Sequence, residues 1–393
     1  MKIRNTIIGL LGLLVLLGCS SDDAQQAMLM VEATVSAPDY ADAADARSGD
    51  VSEGRKITRS WTPPTSYYLY SELYSGSVYA NYERLDNKTI DVFFTQNVAE
   101  GPMNPLNGRL RYVSSTDKWK LVLPNTVNPD NVHAGDYYVY GFLPQSAADN
   151  ATITPNPTYD KGAVLTINGM QTVMADACVI IGAKHGPDAD HDGGLTAGNF
   201  MFNLKKGESE NNYMYLLFDH LCSALSLSMR VYDDYNDLRT IKVKEIRLQT
   251  ASNSGKTKKK MNVTVTLNGN NTGSNPIESI TYTPTGEEEC DGIVFQSDEG
   301  LELSTSYSMF LSHFVPQGVT KLILTTTYDV YDKKGNLIRL NSKATNTILV
   351  TDIIDRLDAV ERGSKYTINM TIQPTYLYVL SDPDLDNPTM TID

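Results

Sequence analysis

The sequence predicts an all-β chain: two β-sandwich domains in series, preceded by a lipoprotein signal and a flexible arm. Three observations lead there. The 393 residues include 23 Tyr, 27 Gly and 17 Pro, with abundant Thr and Val, a composition that favours strands broken by turns. Apolar residues recur in short runs bounded by Gly, Pro, Asn and Asp, and almost nowhere at helical spacing. About 330 residues remain once leader and arm are set aside, more than one hydrophobic core usually spans, so two domains are expected.

Residues 1–18 read as a signal peptide. Lys2 and Arg4 form its charged end, and the apolar run from Ile7 to Leu17 is too short to cross a bilayer as a mature helix. Leu16-Leu17-Gly18-Cys19 resembles the bacterial lipobox, in which the cysteine becomes the N-terminus and carries acyl chains. Leu17 departs from the small residue usual there. Cys19 is thus the expected lipidation site, against an ordinary secretory signal with an unrelated cysteine. Ser20-Ser21-Asp22-Asp23 resembles the surface-export signal of some Gram-negative lipoproteins. Residues 19–60 are mostly small and acidic, and they cannot bury enough apolar surface to fold alone. Within them Met28 to Val35 has strand propensity and suits a place in a sheet.

The first sandwich is expected over residues 61–207. Its strands are read at Tyr67–Tyr70, Ser77–Tyr82, Thr89–Thr95, Arg109–Val113, Trp119–Leu123, Gly135–Phe142, Ala163–Ile167 and Ala177–Ile181. Ser114 to Lys118 is a polar hairpin turn, and Pro144 to Tyr159 a Pro- and Asn-rich loop. The polar break Lys205 to Asn212 suggests a boundary, and the second sandwich is expected over residues 208–374. Its strands are read at Met214–Phe218, Ala224–Tyr232, Ile241–Gln249, Met261–Leu267, Gly292–Gln296, Tyr307–Phe310, Lys321–Val330, Asn336–Leu340 and Lys365–Ile372. Thr351 to Glu361 is the best helix candidate outside the leader, with Ile353, Ile354, Leu357 and Val360 on one face and Gly363 as a stop. Residues 375–393 form an appendage: an alternating strand, Tyr376-Leu377-Tyr378-Val379-Leu380, then a Pro- and Asp-rich turn from Asp382 to Pro388. A final domain strand with a frayed tail would read the same way.

A formal charge of −14 argues against nucleic acid and anionic lipid surfaces as partners. The basic cluster of Lys256 with Lys258, Lys259 and Lys260 reads as a solvated loop. With Cys19 taken by lipid, Cys178, Cys222 and Cys290 cannot all pair, and Cys178 and Cys222 read as small buried hydrophobes. Asp188, Asp190 and Asp192, followed by Gly193, have the spacing of a calcium loop, because alternate carboxylates can converge on one hard cation. Asn199 stands where such a loop carries a bidentate Glu, and a solvated surface loop is the plainer reading. No other cofactor is implied. Neither a nucleophile elbow, a zinc-protease helix, a P-loop nor a dinucleotide fingerprint occurs, so no enzyme is expected.

Several stretches together resemble the fimbrillins, the type V pilins and Mfa-like fimbrial lipoproteins of gut and oral Gram-negative bacteria. They are Ile90 to Phe94, Gly135 to Pro144, Ala175 to Gly182, Phe218 to Leu225 and Gly363 to Met370. The resemblance implies a transthyretin-like pair of sandwiches and a pilus subunit or adhesin, carried to the outer membrane surface by its lipid and built into a fimbrium after processing. It also implies a mechanism. The subunit's own N-terminal strand fills a groove, a trypsin-like protease cuts after an arginine, and a strand from another pilin subunit takes its place by β-augmentation. On this reading Met28 to Val35 is the covering strand, and Arg47, Arg59 and Arg55 are the candidate cleavage sites. Tyr376 to Leu380 is the candidate donor strand. A host or bacterial surface ligand would complete the list of partners. The alternative is a monomeric cell-surface lipoprotein that binds carbohydrate through Trp61 and the tyrosines at 67, 68, 70, 74, 79 and 82.

Overall fold

The computed structural model describes residues 31–36, 41–42, 89–96, 106–113, 118–122, 134–171, 177–186, 196–205, 212–269, 276–353, 358–374 and 383–392. Two strands come from the arm: β1 (Val31–Ser36) and β2 (Ala41–Asp42). Then follow β3 (Thr89–Gln96), β4 (Leu106–Val113), β5 (Lys118–Val122), β6 (Gly135–Leu143), β7 (Asn150–Pro155), β8 (Gly162–Gln171), β9 (Cys178–Gly186) and β10 (Met201–Leu204). β11 (Asn212–His220) runs through Leu221 directly into β12 (Cys222–Val231). After a one-turn helix, α1 (Asp233–Asn236), come β13 (Arg239–Ser252), β14 (Gly255–Lys256), β15 (Lys258–Asn268), β16 (Ile277–Glu289), β17 (Asp291–Glu302), β18 (Ser308–Pro316), β19 (Lys321–Asp332) and β20 (Leu337–Leu349). A second single turn, α2 (Val350–Ile353), precedes β21 (Ser364–Pro374) and β22 (Pro383–Ile392).

These strands make two lobes. In the first, a large sheet has the order β10-β6-β3-β4-β5-β1-β11-β9, and β6 also pairs with β9, so the sheet curls round to meet itself. A second sheet, β16-β15-β8-β7, packs against it. Their shared core holds Ile90, Val92, Leu110, Phe142, Leu165, Ile180, Phe218 and Val263. In the second lobe, the path β18-β12-β21-β2, with β22 also on β21, faces β14-β13-β19-β20, with β17 also on β13. Leu227, Val243, Ile246, Phe310, Leu324, Tyr366 and Ile368 fill that core. The alternation is that of half-buried strands: β8 buries Ala163, Leu165 and Ile167, and β15 answers with Met261, Val263, Val265 and Leu267.

The all-β reading holds, with differences in detail. The expected division at 207 and 208 assigns β11 to the second half. Its Met214, Leu216 and Phe218 instead lie in the first core, as do Met261 to Leu267 of β15. The cause is topological. The chain returns to the first lobe through the β15–β16 hairpin and leaves it again at buried Cys290, so neither core is contiguous in sequence. Of the helix expected at Thr351 to Glu361, the described residues show one turn, Val350–Ile353, and 358–363 are not helical. The loop expected from Pro144 to Tyr159 contains β7, and Pro383 to Pro388 of the expected turn lie in β22. Lys256 and Lys258–Lys260 lie on β14 and β15, where Lys256 pairs with Glu289 (2.9 Å), Lys259 with Glu288 (3.0 Å) and Lys260 with Asp149 (2.7 Å). The basic cluster is thus matched by carboxylates of neighbouring segments. Cys178, Cys222 and Cys290 are free and buried.

Candidate functional site

The site begins with β11. Its sequence, NYMYLLFDH, is apolar or aromatic from Tyr213 to Phe218, and all nine residues are buried. One edge of β11 pairs antiparallel with β9. The other edge pairs parallel with β1, from Val31 opposite Asn212 to Ser36 opposite Leu217. The far side of β1 pairs antiparallel with β5, where Glu32 faces Lys120 and Ala33 faces Trp119. Among the described residues, β5 and β11 meet only through β1. Without that strand the ring of the first lobe would stand open at one place, with two strand edges unpaired. Unpaired edges of this kind are templates for another strand.

The arm also reaches the second lobe. Ala41 and Asp42 of β2 lie parallel to Ser364 and Lys365, at the start of β21. β22 takes the rest of that edge, pairing antiparallel from Ile368 opposite Ile392 to Pro374 opposite Pro383. The arm and the C-terminal strand therefore share one edge of β21. Proline is tolerated on such an edge because no further strand needs its missing N–H.

Between the lobes the β11–β12 passage is held by polar contacts that are mostly buried. The Arg362 guanidinium donates from Nη1 to Asp219 Oδ2 at 2.8 Å and to the His220 carbonyl at 3.0 Å. The His220 backbone N–H donates to Asp219 Oδ1 at 2.9 Å, and Cys178 Sγ lies 3.3 Å from His220 Nδ1. Tyr282 of β16 donates its hydroxyl to the Leu221 carbonyl at 2.7 Å, and the Gly363 N–H donates to the Cys222 carbonyl at 2.8 Å. Burial alone would lower the pKa of Arg362, but the Asp219 carboxylate outweighs it and holds the guanidinium charged. Burial pushes the Tyr282 phenol up, so it stays a neutral donor.

The strand expected at Met28 to Val35 is described from Val31 onward and lies within a sheet. Cys19, Arg47, Arg55, Arg59, Trp61, the tyrosines from 67 to 82, Tyr376 to Leu380, and Asp188, Asp190 and Asp192 lie outside the described residues. His185 is described, and its ring packs against Phe202 with centroids 5.6 Å apart. Among the described residues no cluster of three or more His, Cys, Asp or Glu side chains is placed to hold a metal. Two strands on the β21 edge lie outside the sequence reading. β2 is only two residues long and has no pattern, and β22 was hidden by its prolines and aspartates.

No family model matches the chain, and no curated protein matches it. Solved structures do match. One, described as a cell adhesion protein from Bacteroides fragilis, is 8% identical over 93% of this chain and 97% of its own, with a TM-score of 0.43. A fimbrial protein from Bacteroides vulgatus is 12% identical over 78% and 91%, with a TM-score of 0.35. The fimbrial anchor protein Mfa2 from Porphyromonas gingivalis is 9% identical over 92% and 95%, with a TM-score of 0.26.

Proposed function

We propose that the chain is a fimbrial subunit or adhesin of the fimbrillin kind, held closed by its own arm and assembled by strand exchange. The observation that carries this reading is the position of β1, the one described strand linking β5 to β11. Arg47, Arg55 and Arg59 all follow β1 and β2 in the chain and precede β3. A trypsin-like cut at any of them would leave both arm strands attached by non-covalent contacts alone. Backbone hydrogen bonds contribute on the order of 1 kcal/mol each net, so such a strand can be displaced by one of equal length. A strand from another subunit then pairs with β5 and β11 in its place.

The donor in this reading is Tyr376 to Leu380, between β21 and β22. Extending it into a neighbour requires β22 to leave the edge of β21, the same edge that β2 vacates on cutting. Cys19 supplies the lipid that holds the uncut subunit at the outer membrane surface. Limited trypsin digestion, with N-terminal sequencing and SDS electrophoresis without boiling, tests the scheme. The expected result is a single trimmed species beginning after one of the three arginines, followed by SDS-resistant ladders. A trimmed protein that stays monomeric at high concentration would reject assembly.

A further inference from the structure

The outer face of the β17-β13-β19-β20 sheet is broken at one level across its whole width. In β13 the register shifts between Val243 and Glu245 against both neighbours. Val243 and Ile246 both remain buried, so Lys244 is the extra residue, and it faces outward beside Glu245. Opposite this bulge β17 passes from Gln296 to Leu301 while β13 passes only from Glu245 to Val243. β20 inserts Leu340 and Asn341 between the partners of Val330 and Tyr328. Bulges bend a strand and re-aim its side chains, and the irregularities of β13, β17 and β20 at one level make a concavity. The concavity has a volume of about 460 Å³, and its lining includes Lys244, Glu245, Gln296, Asp298, Asn341 and Lys343, with no aromatic or aliphatic side chain.

Its floor is fixed. Asp329 is 1% exposed and accepts from the Asn341 N–H at 2.7 Å and from Lys244 Nζ at 3.1 Å. Asn341 has φ 51°, the only positive φ at a non-glycine among the described residues. Strain of this sort persists where the surroundings over-determine it, and it clusters at binding sites.

We propose that this concavity binds a hydroxyl-rich saccharide. The lining offers amide, hydroxyl, ammonium and carboxylate groups side by side, the donors and acceptors that vicinal hydroxyls need. Glu245 and Asp298 disfavour an anionic ligand, and Lys244 and Lys343 disfavour a metal cation. Leu340, which precedes Asn341 in β20, is the most exposed large hydrophobic residue described at 58%. The volume suits a small ligand.

A glycan array probed with the uncut full chain, followed by saturation-transfer NMR with the oligosaccharides it selects, tests this site. Retention of at least one glycan is expected, with affinity falling about tenfold in Gln296→Ala and in Asp298→Ala, as loss of a ligand hydrogen bond predicts. Lys259→Ala, on the first lobe, should leave binding unchanged. No retained glycan, or equal affinity in the Gln296→Ala/Asp298→Ala/Lys343→Ala triple variant, would overturn the proposal. The measurement uses the uncut monomer, so it stands apart from any failure of strand exchange.

Discussion

Replacing Arg362 with alanine isolates the clamp between the lobes. Asp219 is 1% exposed, and the Arg362 side chain is 13% exposed. The substitution takes the guanidinium from a buried carboxylate 2.8 Å away and removes a donor from the His220 carbonyl. The His220 N–H still reaches Asp219 Oδ1, but a neutral donor cannot offset the charge. Breaking a buried pair on one side costs about 3–5 kcal/mol, because the remaining charge stays desolvated. Urea denaturation followed by tryptophan fluorescence and circular dichroism measures the loss. The double variant Asp219→Asn/Arg362→Ala removes the stranded charge as well and should recover a substantial part of the stability. A loss below about 1 kcal/mol in Arg362→Ala, the range of surface pairs, would refute the reasoning. So would a double variant no more stable than the single one.

Three further outcomes follow from the geometry. In Gly141→Ala the new Cβ would lie 1.9 Å from the Asp91 carbonyl oxygen, forcing β3 and β6 apart. A loss of about 3 kcal/mol or more is expected, whereas Gly292→Ala, with nothing within 4 Å, should be nearly silent in the same melt. The Asp332 carboxyl is held below 3.8, first by the Asn336 side chain and then by the Asn336 and Lys334 N–H groups. Its contribution is present above the unfolded pKa and is lost as pH falls through the folded one. Asn336→Ala should raise that pKa towards 3.8 in an NMR titration, and an unmoved value would discount the hydrogen bond. If Asp188, Asp190 and Asp192 hold calcium, added calcium raises the Tm and Asp190→Ala abolishes the rise; no shift in the parent protein rejects the loop.

Strands that bury one face were legible, because burial imposes period two on the side chains. Gly162–Gln171 and Lys258–Asn268 show that pattern, and both lie inside a core. Edge strands were not. β16 carries Pro284, Gly286 and four glutamates, devices that keep a sheet edge from pairing further, and they erase the signal a strand gives. β7 and β22 were read as loop or turn for the same reason. The apolar face at Ile353, Ile354, Leu357 and Val360 suggested a helix, yet Val360 is buried in the second core after the helix has ended. Core membership of β15 was illegible because it depends on where the chain crosses between lobes, not on local pattern. For the candidate site, the arm's strand propensity pointed to β1. Its insertion between β5 and β11 is a long-range pairing that no local sequence encodes.

The most direct test of the account locks β1 in place. Glu32 and Lys120 are cross-strand partners, and cysteines placed at both positions should bridge β1 to β5. After tryptic trimming, the oxidised Glu32→Cys/Lys120→Cys protein should retain the cut arm and remain monomeric, and reductant should release the arm and start polymerisation. Polymerisation of the fully trimmed protein at the same rate with the bridge intact would contradict the claim that β1 must leave for another strand to enter.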